Sequence, residues 1–119
     1  MAARDHFRAH ARRRVDLDAT LRGRDGGSHD VRVRDLGLGG ACVELAEGHS
    51  AAGLDREAVV SLEVMAPTLW DPLLLGGRIA WIRRSAQARP TRAGVRFEHR
   101  DPAALYALFQ LLGAHLYDG

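Results

Sequence analysis

The sequence has no lysine; all 17 of its basic residues are arginine. It has one cysteine, Cys42, which excludes an intramolecular disulfide and fits a reducing compartment. Within the apolar run GACVEL, Cys42 is expected to be a buried, inert thiol. No apolar stretch reaches the roughly 18 residues that a membrane-spanning helix needs. The basic N-terminus is not followed by an apolar core, so no secretory signal is expected and the location is expected to be cytoplasmic. The six histidines, His6, His10, His29, His49, His99 and His115, are scattered and lack metal-ligand spacing. Ser28, Ser50, Ser61 and Ser85 have no nucleophile-elbow context, and no phosphate loop occurs. A binding module without enzymatic activity, metal or cofactor is therefore expected. The net charge is only +2, and the strands offer no aromatic platform. Both weigh against a nucleic-acid binder.

What is present is uneven. Residues 1 to 14 hold five arginines, two histidines and one carboxylate, with no apolar periodicity. They are expected to form a flexible arginine-rich segment. Arginine brings a rigid planar fork of donors and a face that stacks on bases, which lysine does not. From Val15 onward the pattern changes. Val15, Leu17, Ala19 and Leu21 alternate with polar residues, the period of a half-buried strand. RDGG reads as a hairpin turn. Val31 and Val33 mark a second strand, DLGLGG (Asp35 to Gly40) a reversal, and Ala41, Val43 and Leu45 a third strand.

After a loop over 46–57, AVVSLEVM from Ala58 to Met65 predicts a fourth strand. GRIAWIRR, within Leu73 to Arg84, predicts a fifth, and AGVRFEH, within Arg92 to His99, a sixth. Asp101 fits a helix N-cap and Pro102 the first helical position. Leu105, Leu108, Phe109, Leu112 and Leu116 then recur at helical spacing, which predicts a core-facing stripe, with a partner-binding face as the alternative. The expected fold is mainly β: six antiparallel strands over 15–119 in a closed or nearly closed barrel, with one C-terminal helix.

The arginine cluster RAHARRR and the turn DLGLGG, separated by one hairpin's worth of sequence, resemble the two signature segments of the PilZ domain family, bacterial receptors for cyclic di-GMP. That signature is R-x-x-x-R followed about twenty residues later by [D/N]-x-S-x-x-G. The later strands GRIAWIRR and AGVRFEH also read like the family's, and the resemblance runs from Arg8 to the end of the helix. It implies a six-stranded antiparallel barrel with a C-terminal helix. Two registers fit the arginine motif. One uses Arg8 and Arg12 and leaves Arg13 and Arg14 before the strand; the other ends at Arg14, with His10 at the position of the first arginine. Gly37 stands where the family motif has serine.

The resemblance implies cyclic di-GMP as ligand. The implied ligand-binding residues are Arg8, Arg12, Arg13, Arg14, Asp35, Gly37, Gly40 and Trp81. An arginine fork can donate to guanine O6 and N7, clamp phosphate oxygens or stack on a base. Asp35 can accept from the guanine N1–H and N2–H₂ edge, which adenine lacks; by itself it reads first as a turn residue bonding its own backbone, and it is the resemblance that implies the ligand role. The glycines are expected to permit positive φ and a close backbone approach. Trp81 is expected either in the core or against ligand. The implied role is a single-domain receptor or adaptor signalling to an unidentified protein partner in trans, with no membrane insertion. The alternative is a degenerate domain of the same fold that binds no nucleotide and acts as a protein-interaction adaptor.

Overall fold

Alternating apolar residues build the wall of a barrel. The computed structural model describes residues 12–24, 26–46, 53–84 and 90–118, with side chains of the last stretch described through 113. Six strands follow in chain order: β1 (Arg13–Gly23), β2 (Ser28–Leu36), β3 (Gly40–Leu45), β4 (Val59–Met65), β5 (Leu73–Arg83) and β6 (Arg92–Phe97). The helix α1 (Pro102–Asp118) ends the chain. All neighbouring strands are antiparallel, and the order β1-β2-β3-β6-β5-β4 closes through β1 against β4. Closure removes the exposed strand edges that would otherwise invite pairing with other chains. Among the described residues no helix is long and apolar enough to cross a membrane.

The inward positions are those the alternation predicts. Leu17, Ala19 and Leu21 of β1, Val31 and Val33 of β2, and Ala41, Val43 and Leu45 of β3 are buried together. Val60, Leu62, Val64, Leu75, Ile79, Ala93 and Val95 complete the wall. Leu54, from the segment before β4, is fully buried among them. β1 begins at Arg13, two residues before the alternation becomes visible, because Arg13 and Arg14 already pair with Leu36 and Asp35 of β2. The β1–β2 turn relies on Gly26, whose φ of 90° is costly for any residue with a Cβ.

The helix starts as the sequence predicts. Asp101 Oδ1 accepts from the Ala103 N–H at 3.0 Å, and the Asp101 carbonyl accepts from the Leu105 N–H at 3.1 Å. This is an N-cap with proline in the first helical position. The phase of the apolar stripe differs from expectation. Leu108, Leu111 and Leu112 face the core, whereas Phe109 is 62% exposed and Tyr106 64%. The run AALYALFQLL carries apolar residues on most of its circumference, so spacing alone fits more than one phase. Packing of α1 on β1 and β5 selects the Leu108–Leu111–Leu112 face. Phe109 is therefore not a core residue, and the side chain of Leu116 lies outside the described residues.

Candidate functional site

The turn between β2 and β3 is fixed from three sides. The Gly37 N–H donates to the Gly40 carbonyl at 2.9 Å, and the Phe97 N–H donates to the Gly39 carbonyl at 2.9 Å. His99 Nε2 contacts the Leu38 carbonyl oxygen. The His99 ring packs at 5.7 Å from that of Phe97. The segment after β6 thus clamps the glycine turn. Positive φ among described glycines occurs only at Gly26 and Gly53. Gly37, Gly39 and Gly40 therefore do not supply the left-handed conformation expected of them. Gly40 is required for a different reason: a Cβ there would collide with the Val95 backbone carbonyl. Gly37 is buried.

Asp35 leaves β2 on the outer face of the barrel, just before this turn. Its Oδ1 accepts from Arg12 Nη1 at 3.0 Å; the side chains are 27% and 48% exposed, respectively. Cross-strand pairing continues outward from Asp35 in both directions. Arg14 of β1 pairs with Asp35, Asp35 with Cys42 of β3, Cys42 with Gly94 of β6, and Gly94 with Trp81 of β5. One row on the outer face thus carries a guanidinium, a carboxylate, a thiol, a bare backbone and an indole.

Three register shifts of the β-bulge type border this row: between Arg14 and Leu17, between Val33 and Asp35, and between Ile79 and Trp81. An extra residue in a strand re-aims the side chains beyond it. Here the shifts let Arg34 and Asp35 both avoid the core, and they turn Trp81 outward while Ile79 stays inside. Trp81 is 39% exposed, which rules out its placement in the core.

The row's neighbours are mutually neutralised. Glu44 accepts from Arg92 Nε at 3.1 Å and from Arg34 Nη2 at 3.4 Å; Arg34 Nη1 also reaches Asp16 at 3.3 Å. Arg32 lies 3.4 Å from both Asp16 and Asp18. Arg13 and Arg14, by contrast, make no ion pair among the described residues. Their guanidinium groups are available to an anion. Arg8 lies outside the described residues, as does His10.

Cys42 is 8% exposed, yet it stands apart from the main core cluster, because Ala41 and Val43 on either side take the inward positions. Burial pushes its thiol pKa up; Asp35 and Glu44 push the same way, and Arg92 and Arg12 oppose them. The thiol is held in its neutral form, as expected of an inert cysteine. Sequence reasoning does not single out Cys42 and Gly94 as members of an outer row. The signal is nonetheless present in the alternation: each sits between two small apolar residues that face inward.

The fold resembles those of solved structures. The PilZ domain of YcgR from Escherichia coli, solved with c-di-GMP, superposes with a TM-score of 0.65 at 20% identity, covering 83% of this chain and 80% of that one. The Bacillus subtilis inhibitor of motility MotI/DgrA gives 0.70 at 14% identity, covering 91% of this chain and 50% of that one. The K. pneumonia MrkH–c-di-GMP complex gives 0.70 at 12% identity, covering 90% and 51%. At these identities the likeness is one of fold, and the chain spans about half the length of the MotI and MrkH chains. No match was found among the curated proteins. The PilZ domain family model matches residues 4–115. That match takes in the arginine cluster, the glycine turn, all six strands and most of the helix, and the chain belongs to the PilZ domain family.

Proposed function

We propose that this chain is a cyclic di-GMP receptor that binds the dinucleotide on the outer row and signals to a partner protein in trans. The observation that carries the reading is the row itself. Arg14, Asp35 and Trp81 stand in one cross-strand row on the outside of the barrel, on β1, β2 and β5, with Cys42 and Gly94 between Asp35 and Trp81 and with Arg12 held against Asp35. These are the groups that a guanine-bearing phosphodiester needs. Guanidinium donors meet phosphate oxygens or guanine O6 and N7. A carboxylate accepts from the guanine N1–H and N2–H₂ edge, and an indole face covers a base. YcgR and MrkH, which share the fold, were both solved with this ligand, which supports the choice of nucleotide.

In this reading Arg8, Arg12, Arg13 and Arg14 close over the ligand, Asp35 reads guanine, and Gly37 and Gly40 keep the turn low beneath it. Arg12 is held at Asp35 before ligand arrives, so binding exchanges that ion pair for contacts to the nucleotide. The ordered arginine segment then forms the surface that a partner recognises.

Gly37, in the place of the motif's serine, favours a second reading: an adaptor of the same fold without nucleotide affinity. Calorimetric titration with cyclic di-GMP, GTP and single-stranded RNA separates the possibilities. Saturable binding of cyclic di-GMP alone supports the receptor. Absence of heat with all three supports the adaptor, and preference for RNA contradicts both.

A further inference from the structure

Gly94 occupies the middle of β6, where its neighbours Ala93 and Val95 point into the core at 0% and 2% exposure. A side chain at 94 would therefore project onto the outer face. Its backbone does not require glycine, because positive φ among described glycines is confined to Gly26 and Gly53. The requirement is one of space. An ideal Cβ at Gly94 would meet Trp81 and nothing nearer: it would strike Nε1, with Cε2 at 2.6 Å and Cδ1 at 2.7 Å. All three are adjacent atoms of the five-membered ring, and they crowd that point almost equally. An edge-on ring would bring one atom close and leave its neighbours well behind, so the indole presents its face to the Gly94 backbone.

The ring thus covers the bare strand as aromatic residues cover glycines in other sheets, and Gly94 is buried although it faces outward. Trp81 nevertheless remains 39% exposed, so one side of the ring rests on β6 and the rest faces solvent. The register shift at Ile79/Trp81 brings Trp81 opposite Gly94.

We propose that Gly94 is a positioning residue for the ligand site: the absent side chain lets the Trp81 indole lie flat on β6, level with Cys42, Asp35 and Arg14, as a wall against which a base stacks. The inference deepens the receptor reading and rests on Trp81 touching ligand. Any side chain at 94 must lift or tilt the ring. Contact distances between carbon atoms are about 3.5–4.0 Å, so even a methyl group displaces the ring by roughly 1.5 Å into the space a base would fill.

The test is a double-mutant cycle on the full chain with Gly94→Ala, Trp81→Ala and the pair. A second arm reads Trp81 fluorescence in a Trp70→Phe background, since the only other tryptophan is fully exposed. Base–aromatic stacking sets the expected size of the effect. Gly94→Ala should weaken cyclic di-GMP binding about tenfold in the parent and less than about twofold when Trp81 is already alanine. It should also red-shift Trp81 emission and increase its quenching by acrylamide. The pair should melt higher than Gly94→Ala alone, because removing the ring makes room for the methyl group; this keeps the test usable if the single variant folds poorly. Equal losses of affinity in both backgrounds, or unchanged Trp81 emission, would overturn the proposal. Parent-like affinity of Trp81→Ala would overturn it too, because the ring would then not touch ligand, while binding of cyclic di-GMP by the parent would leave the receptor reading standing.

Discussion

Asp35 offers the sharpest separation between stability and recognition. In the structure its carboxylate is engaged by Arg12 at 3.0 Å, with the arginine side chain 48% and the aspartate 27% exposed. Pairs of this kind contribute about 0.2–1 kcal/mol, because water screens the attraction and two side chains lose freedom. Asp35→Ala should therefore lower unfolding free energy by no more than about 1 kcal/mol in a urea titration. Its effect on ligand should be larger. A carboxylate accepting from guanine makes charge-assisted hydrogen bonds worth about 1.5–3 kcal/mol. The substitution also releases Arg12, which could strengthen its grip on a phosphate, but the gain is capped by the same ~1 kcal/mol that the pair was worth. Loss exceeds gain, and affinity for cyclic di-GMP should fall several-fold to about thirtyfold.

The loss should be specific to guanine. Cyclic di-AMP has no N1–H or N2–H₂ to offer Asp35, so the variant should lose discrimination between the two dinucleotides. Calorimetry with both ligands on parent and variant reads this directly. Parent-like affinity with parent-like discrimination would refute the role given to Asp35. A destabilisation beyond about 3 kcal/mol would show that the ion pair has been misjudged as a surface contact.

Leu108→Ala should cost about 2–5 kcal/mol as a buried deletion, whereas Phe109→Ala should stay within about 0.5 kcal/mol of the parent in the same urea titration. Gly40→Ala should destabilise by about 1–3 kcal/mol, since its methyl group meets the Val95 carbonyl rather than a movable side chain; parent-like stability would contradict the close approach. Gly37→Ser should bind cyclic di-GMP a few-fold more tightly than Gly37→Ala, because a neutral hydrogen bond is worth about 0.5–1.5 kcal/mol; equal affinities would mean the hydroxyl is not directed at ligand. Cys42 has a raised folded-state pKa. Its contribution to stability is thus present below the ordinary thiol pKa and is lost as pH rises from there through the folded value. Alkylation of the native protein should accordingly stay slow at neutral pH; fast modification there would contradict the burial.

Much of the barrel is written in residues that obey a period of two, and those strands are where the alternation places them. The register shifts are not visible that way. One extra residue in β2 at Arg34, or in β5 at Ala80, changes which face the following residues take, and no local pattern announces it. That is why the sequence alone leaves Trp81 open between core and surface. The helix poses a related problem, since Tyr106 and Phe109 are as apolar as the residues that pack, and only the docking against β1 and β5 separates them. The glycine turn is legible from composition, but the reason for Gly40 is not. Its partner is the carbonyl of Val95, more than fifty residues away in sequence. Gly94 and Trp81 are joined by the same kind of pairing between strands.

The most direct test of the central claim compares cyclic di-GMP titrations of the parent chain and of the triple variant Arg8→Ala, Arg12→Ala, Arg14→Ala. Removing each charged hydrogen bond to the ligand should cost about 1.5–3 kcal/mol. The receptor account therefore predicts saturable binding by the parent and none by the variant, with melting temperature little changed. Undiminished affinity in the variant, or no heat from the parent at millimolar ligand, would contradict it.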